Sequence, residues 1–94
     1  MPAFFVADVD WKDPAARSQY LSLFGNSIAP YGGKVFAGPA TSMEGNWTPA
    51  LIAIVQFDDA IKARQWYDSP EYAEAKKLRL ANSDSRSILF ESQS

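Results

Sequence analysis

Residues 50–57 are almost wholly apolar, with Leu51, Ala53, Val55 and Phe57 opposed to Ile52, Ile54 and Gln56. A period of two puts these sets on opposite sides of a strand, so both sides need shielding from water. Residues 3–10 repeat the condition, with Phe5, Ala7 and Val9 on one side and Phe4, Val6 and Asp8 on the other. Two such strands do not suit a sheet with one face in solvent. Each face needs a cover, from this chain or from a second one.

The helices supply one cover. Asp13-Pro14 combines an N-cap carboxylate with a proline suited to the first helical position, and Tyr20, Leu21, Phe24 and Ile28 follow as an apolar stripe. Gly25-Asn26 predicts a bend or fray within this helix, and Pro30-Tyr31-Gly32-Gly33 its end. Residues 34–37 read as a short strand interrupted by Gly38-Pro39. Residues 41–44 read as the same strand resumed after a bulge, before a turn at residues 45–49. Asp58-Asp59 caps a short helical segment carrying Trp66-Tyr67 and ending near Asp68. Ser69-Pro70 is then both a break and a restart: the hydroxyl can cap, and proline fits the first turn of a second helix running towards Asn82. Residues 86–91 form the last strand, and residues 92–94 a frayed tail.

The order strand, helix, strand, strand, helix, strand predicts an α+β, ferredoxin-like βαββαβ fold. It has a four-stranded antiparallel sheet with two helices on one face, in a single domain over residues 1–94. Two helices cover one face only. At ~25 cal/mol per Å² of apolar surface removed from water, the uncovered face predicts an obligate homodimer joined through the sheet.

Composition narrows the chemistry. A net charge of −2 and the absence of any Lys/Arg run argue against a nucleic-acid partner. The sequence has no Cys and no His, so disulfides, thiolate nucleophiles, imidazole bases and His-bound zinc or haem are all excluded. No metal or cofactor is therefore expected. No signal peptide or spanning apolar run is visible, which predicts a soluble, cytoplasmic protein without a membrane partner.

On the second helix, Tyr72, Ala75, Leu78 and Arg79 share one arc. Arg79 is out of place in that apolar stripe. Its guanidinium either snorkels or pairs with a carboxylate as a structural element, or it faces a ligand. Glu44 is the carboxylate expected to pair with it, Tyr72 and Arg79 the polar end of a cleft between helices and sheet, and Trp66 part of its wall. A plain structural role stands beside the ligand role for each of these four. Asp8, at a strand end, reads as a turn or edge residue, and Trp47 as an exposed lid or dimer contact.

The run Trp66-Tyr67-Asp68-Ser69-Pro70-Glu71-Tyr72, followed by Arg79, resembles the signature of the domain-of-unknown-function 1330 family. Asp13-Pro14 with Tyr20, Tyr31-Gly32-Gly33-Lys34, Met43-Glu44-Gly45-Asn46-Trp47 and Val55-Gln56-Phe57 extend the resemblance over almost the whole chain. The segment after Gly33 departs from it: members often carry a basic, glycine-containing run where this chain has Val35-Phe36-Ala37-Gly38-Pro39-Ala40. The resemblance implies a small dimeric α+β barrel, related in fold to antibiotic-biosynthesis-type monooxygenases, in a family with no established activity. Two functions then stand side by side. One is binding or transformation of a small organic molecule in the cleft without metal or cofactor. The other is a non-catalytic dimeric scaffold with a structural Arg–carboxylate pair.

Overall fold

The computed structural model describes residues 1–93. Its elements are β1 (Ala3–Trp11), α1 (Pro14–Ile28), a 3₁₀ turn (Ala29–Tyr31), β2 (Lys34–Gly38), β3 (Ile52–Phe57), α2 (Ala60–Tyr67), α3 (Pro70–Asn82) and β4 (Ser83–Glu91). The strands pair antiparallel in the order β2-β3-β1-β4, which is the ferredoxin-like topology. The chain enters its helices through side-chain caps. Asp13 accepts from the Ala15 N–H, Asp59 from the Lys62 N–H and Ser69 from the Tyr72 N–H. Ser69 also donates to the Trp66 carbonyl at 2.7 Å, so one hydroxyl closes α2 and opens α3. The helix α1 runs through Gly25-Asn26 to Ile28 without a break.

Register sorts the side chains into rows across the sheet. On the helix side, Val35, Val55, Phe5 and Leu89 form one row and Ala37, Ala53, Ala7 and Ser87 the next. Ala3, Phe5, Ala7 and Val9 are buried there beneath Tyr20 and Ile28 of α1, Ala63 and Trp66 of α2, and Tyr72 and Ala75 of α3. Gly33 permits a close approach at the start of β2: a Cβ would lie 2.9 Å from the Val55 Cγ1. On the other side, Phe36, Ile54, Val6 and Ile88 form the central row, flanked by Phe4 and Phe90. The described residues leave much of this face open: Phe36, Ile88 and Phe90 are 56%, 63% and 53% exposed. Both strands predicted to be apolar on two faces are so.

Three boundaries differ from the sequence reading. Residues 41–44 do not resume β2. They belong to an irregular connection over residues 39–51, because Asp8 draws the chain away from the ladder by accepting the Ala50 N–H. For the same reason β3 begins at Ile52 rather than at residue 50, although the Leu51 carbonyl still accepts from the Val9 N–H. β4 begins at Ser83, three residues before the apolar signal, because Asn82 passes directly from helix to strand and β1 is long enough to pair as far as Trp11↔Ser83.

Ser69→Ala removes an acceptor and a donor at a site 5% exposed. The expected loss is about 1–2 kcal/mol in urea denaturation at fixed protein concentration. An unchanged midpoint would mean that Pro70 alone starts α3.

Candidate functional site

The row Ala37–Ala53–Ala7 is too small to fill the space beneath α1, and Val35 and Ala37 of β2 are left exposed. Together they leave a cavity of about 310 Å³. The sheet forms its floor. Tyr20, Leu21 and Phe24 of α1 stand along it, with Trp11 and Val35 among the other lining residues. The lining residues that carry polar groups include Arg17, exposed on α1, Tyr20 and the buried Arg79.

Arg79 reaches this place because α3 turns Tyr72, Ala75 and Arg79 inward together, all three buried. The residue is 2% exposed, and its guanidinium meets only neutral partners among the described residues. Nε donates to the Tyr72 hydroxyl at 3.4 Å and Nη1 to the Ser85 hydroxyl at 2.7 Å. Nη2 is buried with no partner, the one such side-chain atom among the described residues. Burial works to release the proton, but the Tyr72 and Tyr20 phenols more than offset it, so the guanidinium stays charged.

The phenols extend the network. Tyr72 and Tyr20 share a hydrogen bond of 2.8 Å between their hydroxyls. Arg79 can only donate, so the Tyr72 oxygen accepts from it and is free to donate its own proton to Tyr20. The Tyr20 proton is then available to a molecule in the cavity. Burial, reinforced by Tyr72, pushes the Tyr20 phenol far above its ordinary value, so at neutral pH it is a donor and not a base.

The four residues singled out from sequence separate. Arg79 lines the cavity. Tyr72 is fully buried behind it and acts through Tyr20 and Arg79. Trp66 is not a wall of the cavity. It is fully buried in the core, its ring 4.1 Å from that of Tyr72 and its indole N–H donating to Ser27, because its place on α2 faces Phe5 and Phe57. Glu44 does not pair with Arg79. It lies exposed on the connection over residues 39–51, and Arg79 makes no ion pair among the described residues. Tyr20 and Ser85 were missed. Each looked like ordinary stripe or linker, and the only available signal for Tyr20 was a hydroxyl inside an apolar stripe that would need a partner.

A second polar cluster sits on the uncovered face. Asp8 accepts from the Trp47 indole at 3.0 Å and the Ala50 N–H at 3.1 Å, and Arg86 lies 3.7 Å away with its guanidinium over the Trp47 ring. Asp8 is thus the anchor of the connection rather than a plain turn residue, and Trp47 is half exposed above a hollow on that face. Among the described residues no three His, Cys, Asp or Glu gather as a metal ion would require. No helix there is long and apolar enough to cross a membrane.

Sheet order, helix placement and a cleft beneath α1 define a ferredoxin-like α+β domain, the protomer architecture of dimeric α+β barrels. The chain belongs to the DUF1330 family, a domain of unknown function, whose model matches residues 2–93. No curated protein matches it by sequence. A protein of unknown function from Rhodopseudomonas palustris superposes with a TM-score of 0.79 at 22% identity, over 99% of this chain and 83% of that one. A dimeric ferredoxin-like protein of unknown function from Jannaschia sp. CCS1 gives 0.74 at 13%, over 98% and 100%. SnoaB, a cofactor-independent oxygenase from Streptomyces nogalater, gives 0.64 at 18%, over 99% and 94%. At these identities the likeness is one of fold.

Two expectations follow. In the ligand-free protein, Arg79→Met gives up a charged hydrogen bond to Ser85 worth about 1.5–3 kcal/mol and a longer, weaker one to Tyr72. It also relieves the several-kcal/mol desolvation of an ion with no counter-charge. The variant should be as stable as wild type or more so in urea denaturation. A loss beyond about 3 kcal/mol would mean that the charge is compensated in the folded protein.

For Asp8, the Trp47 indole foremost, then the Ala50 and Leu51 N–H groups and Arg86, hold the carboxyl below its ordinary value of 3.8 despite some burial. A lowered folded-state pKa contributes stability in full above the ordinary value and loses it as pH falls through the folded value. Asp8→Asn should therefore have a lower thermal midpoint than wild type at pH 7, with the two converging below pH 3.8. A gap that persists in acid would assign the anchor to shape rather than charge.

Proposed function

We propose that the protein works as a homodimer, joined through the open face of its sheet, that binds a small organic molecule in the cavity between α1 and the sheet. The observation that carries this is the convergence of Arg79 and the Tyr20 hydroxyl on an otherwise apolar space. Pockets that hold small ligands combine apolar walls with a few placed polar groups. Neither group is a base at neutral pH. Both are donors, so the site holds and polarises an oxygen of its ligand, using the chain's own side chains. SnoaB, described as a cofactor-independent oxygenase, is a precedent for chemistry without a cofactor on this fold. The scaffold alternative rested on a structural ion pair at Arg79, and no carboxylate among the described residues meets it there.

The dimer is supported by surface arithmetic and by a relative. The protomer exposes 6075 Å². A monomer of its 10.4 kDa mass would expose ~5,400 Å². The excess approaches the roughly 800 Å² that each partner buries in a standard interface. The Jannaschia protein is described as dimeric.

Native mass spectrometry of protein purified under mild conditions tests both halves. The expected result is a dimer carrying a small organic molecule that is lost on denaturation. Ile54→Asp, on the open face, should shift the mass to a monomer, because a carboxylate would be buried unpaired at the seam. A folded wild-type monomer would overturn the dimer. An empty protein that also takes up no added aromatic compound would overturn the site.

A further inference from the structure

The proposed cavity leaves open what kind of molecule it takes, and the charge bookkeeping around Arg79 answers that. Arg79 is almost completely withdrawn from water, is among the residues that line the cavity, and hydrogen-bonds only to hydroxyls. A buried cation is ordinarily met by a carboxylate, since hydroxyl dipoles alone do not replace its hydration. Here none is present among the described residues, and Nη2 has both its N–H donors unspent. Arg17, on the same lining, adds a second positive charge, and its own carboxylate partners are likewise absent there. The cavity is therefore cationic at its polar groups and apolar elsewhere.

We infer that the ligand is a small organic anion with an apolar, ring-sized body, its anionic oxygen taken by the Arg79 guanidinium and the Tyr20 hydroxyl. This rests on the cavity being a ligand site. A neutral ligand would leave the buried cation uncompensated, whereas an anionic oxygen supplies the missing counter-charge. The Tyr72 hydroxyl holds the pair in place: it accepts from Arg79 and bonds to Tyr20, which fixes both donors relative to one another. The apolar body lies over the Ala37–Ala53–Ala7 row, where the sheet presents no side chain larger than a methyl group.

Titration calorimetry of the full chain, dialysed free of ligand, with 2-naphthoate, 2-naphthamide and 2-naphthalenemethanol separates the possibilities. The three share a body and differ in the charge of the oxygen group. Charge-assisted hydrogen bonds are about twice as strong as neutral ones, so the carboxylate should bind at least about tenfold more tightly than the amide at pH 7. Arg79→Gln should abolish that preference by bringing the carboxylate down to the amide's affinity or below it, with folding checked by circular dichroism. Tyr20→Phe provides a second variant and should weaken the carboxylate severalfold while the amide changes less. Equal binding of the three compounds by wild type would overturn the anionic assignment and leave the cavity standing as a site. Binding of none would overturn the cavity itself. Displacement of naphthoate by chloride or phosphate, with no gain from the naphthyl body, would overturn the organic part. A preference retained in Arg79→Gln would place the anion elsewhere.

Discussion

The buried hydroxyl of Tyr72 is where the helix side of this protein meets. Its ring lies against Trp66, its backbone N–H is capped by Ser69, and its oxygen joins Tyr20 of α1 to Arg79 of its own helix. A buried phenol needs partners, and each partner constrains another element. Tyr20 ties α1 to α3 across 52 residues of chain. Arg79 ties α3 to β4 through Ser85. Around this point the rings of Phe5, Phe24, Phe57 and Tyr67 pack edge-on or tilted against Trp66 and Tyr72, which fills the core with stiff, large side chains. The residues that fix the helices are thus the same ones that aim the polar end of the cavity.

That arrangement divides the helix layer into two regions. Around Trp66 and Tyr72 the packing is dense and aromatic. Beneath α1 it is open, because the alanine row of β1, β2 and β3 offers little bulk and Val35 and Ala37 of the edge strand stay exposed. A protein selected for stability alone would fill this space and replace the guanidinium with a hydrocarbon of similar volume. Keeping both an empty volume and an uncompensated charge is the pattern expected where binding and stability pull apart.

The opposite face follows a different logic. Its central row of Phe36, Ile54, Val6 and Ile88 is apolar across all four strands. The row of Phe4 and Phe90 passes into Gln56 and Lys34, and at the other end lies a polar corner, where Asp8 gathers Trp47, the Ala50 N–H and Arg86. The corner holds an irregular connection of more than ten residues against the sheet by its side chains instead of by a ladder. It also puts an indole at the rim of the apolar surface, a position suited to contact with a second copy.

Elements with strong local signals were legible in the sequence. The two-sided strands, the capped helices and the Ser69-Pro70 restart rest on period, cap chemistry and proline's missing N–H, which act over a few residues and need no tertiary partner. The order of those elements then led to the ferredoxin-like sheet. The inward turn of Arg79 was readable too, from its place in the arc with Tyr72 and Ala75. Its partners were not. Glu44 looked available because it is a carboxylate near a strand, yet Asp8 captures the connection that carries it, and Tyr20 and Ser85 come to Arg79 from α1 and β4 instead. The early start of β4 was hidden because Ser83, Asp84 and Ser85 carry no apolar alternation; only the length of β1 opposite them draws them into the sheet. The sequence by itself determined which segments fold and which of their faces must leave water. The tertiary structure alone decided which hydroxyls surround the buried cation and where a space remains beside it, because both depend on side chains that meet across the chain and on volumes left unfilled between elements.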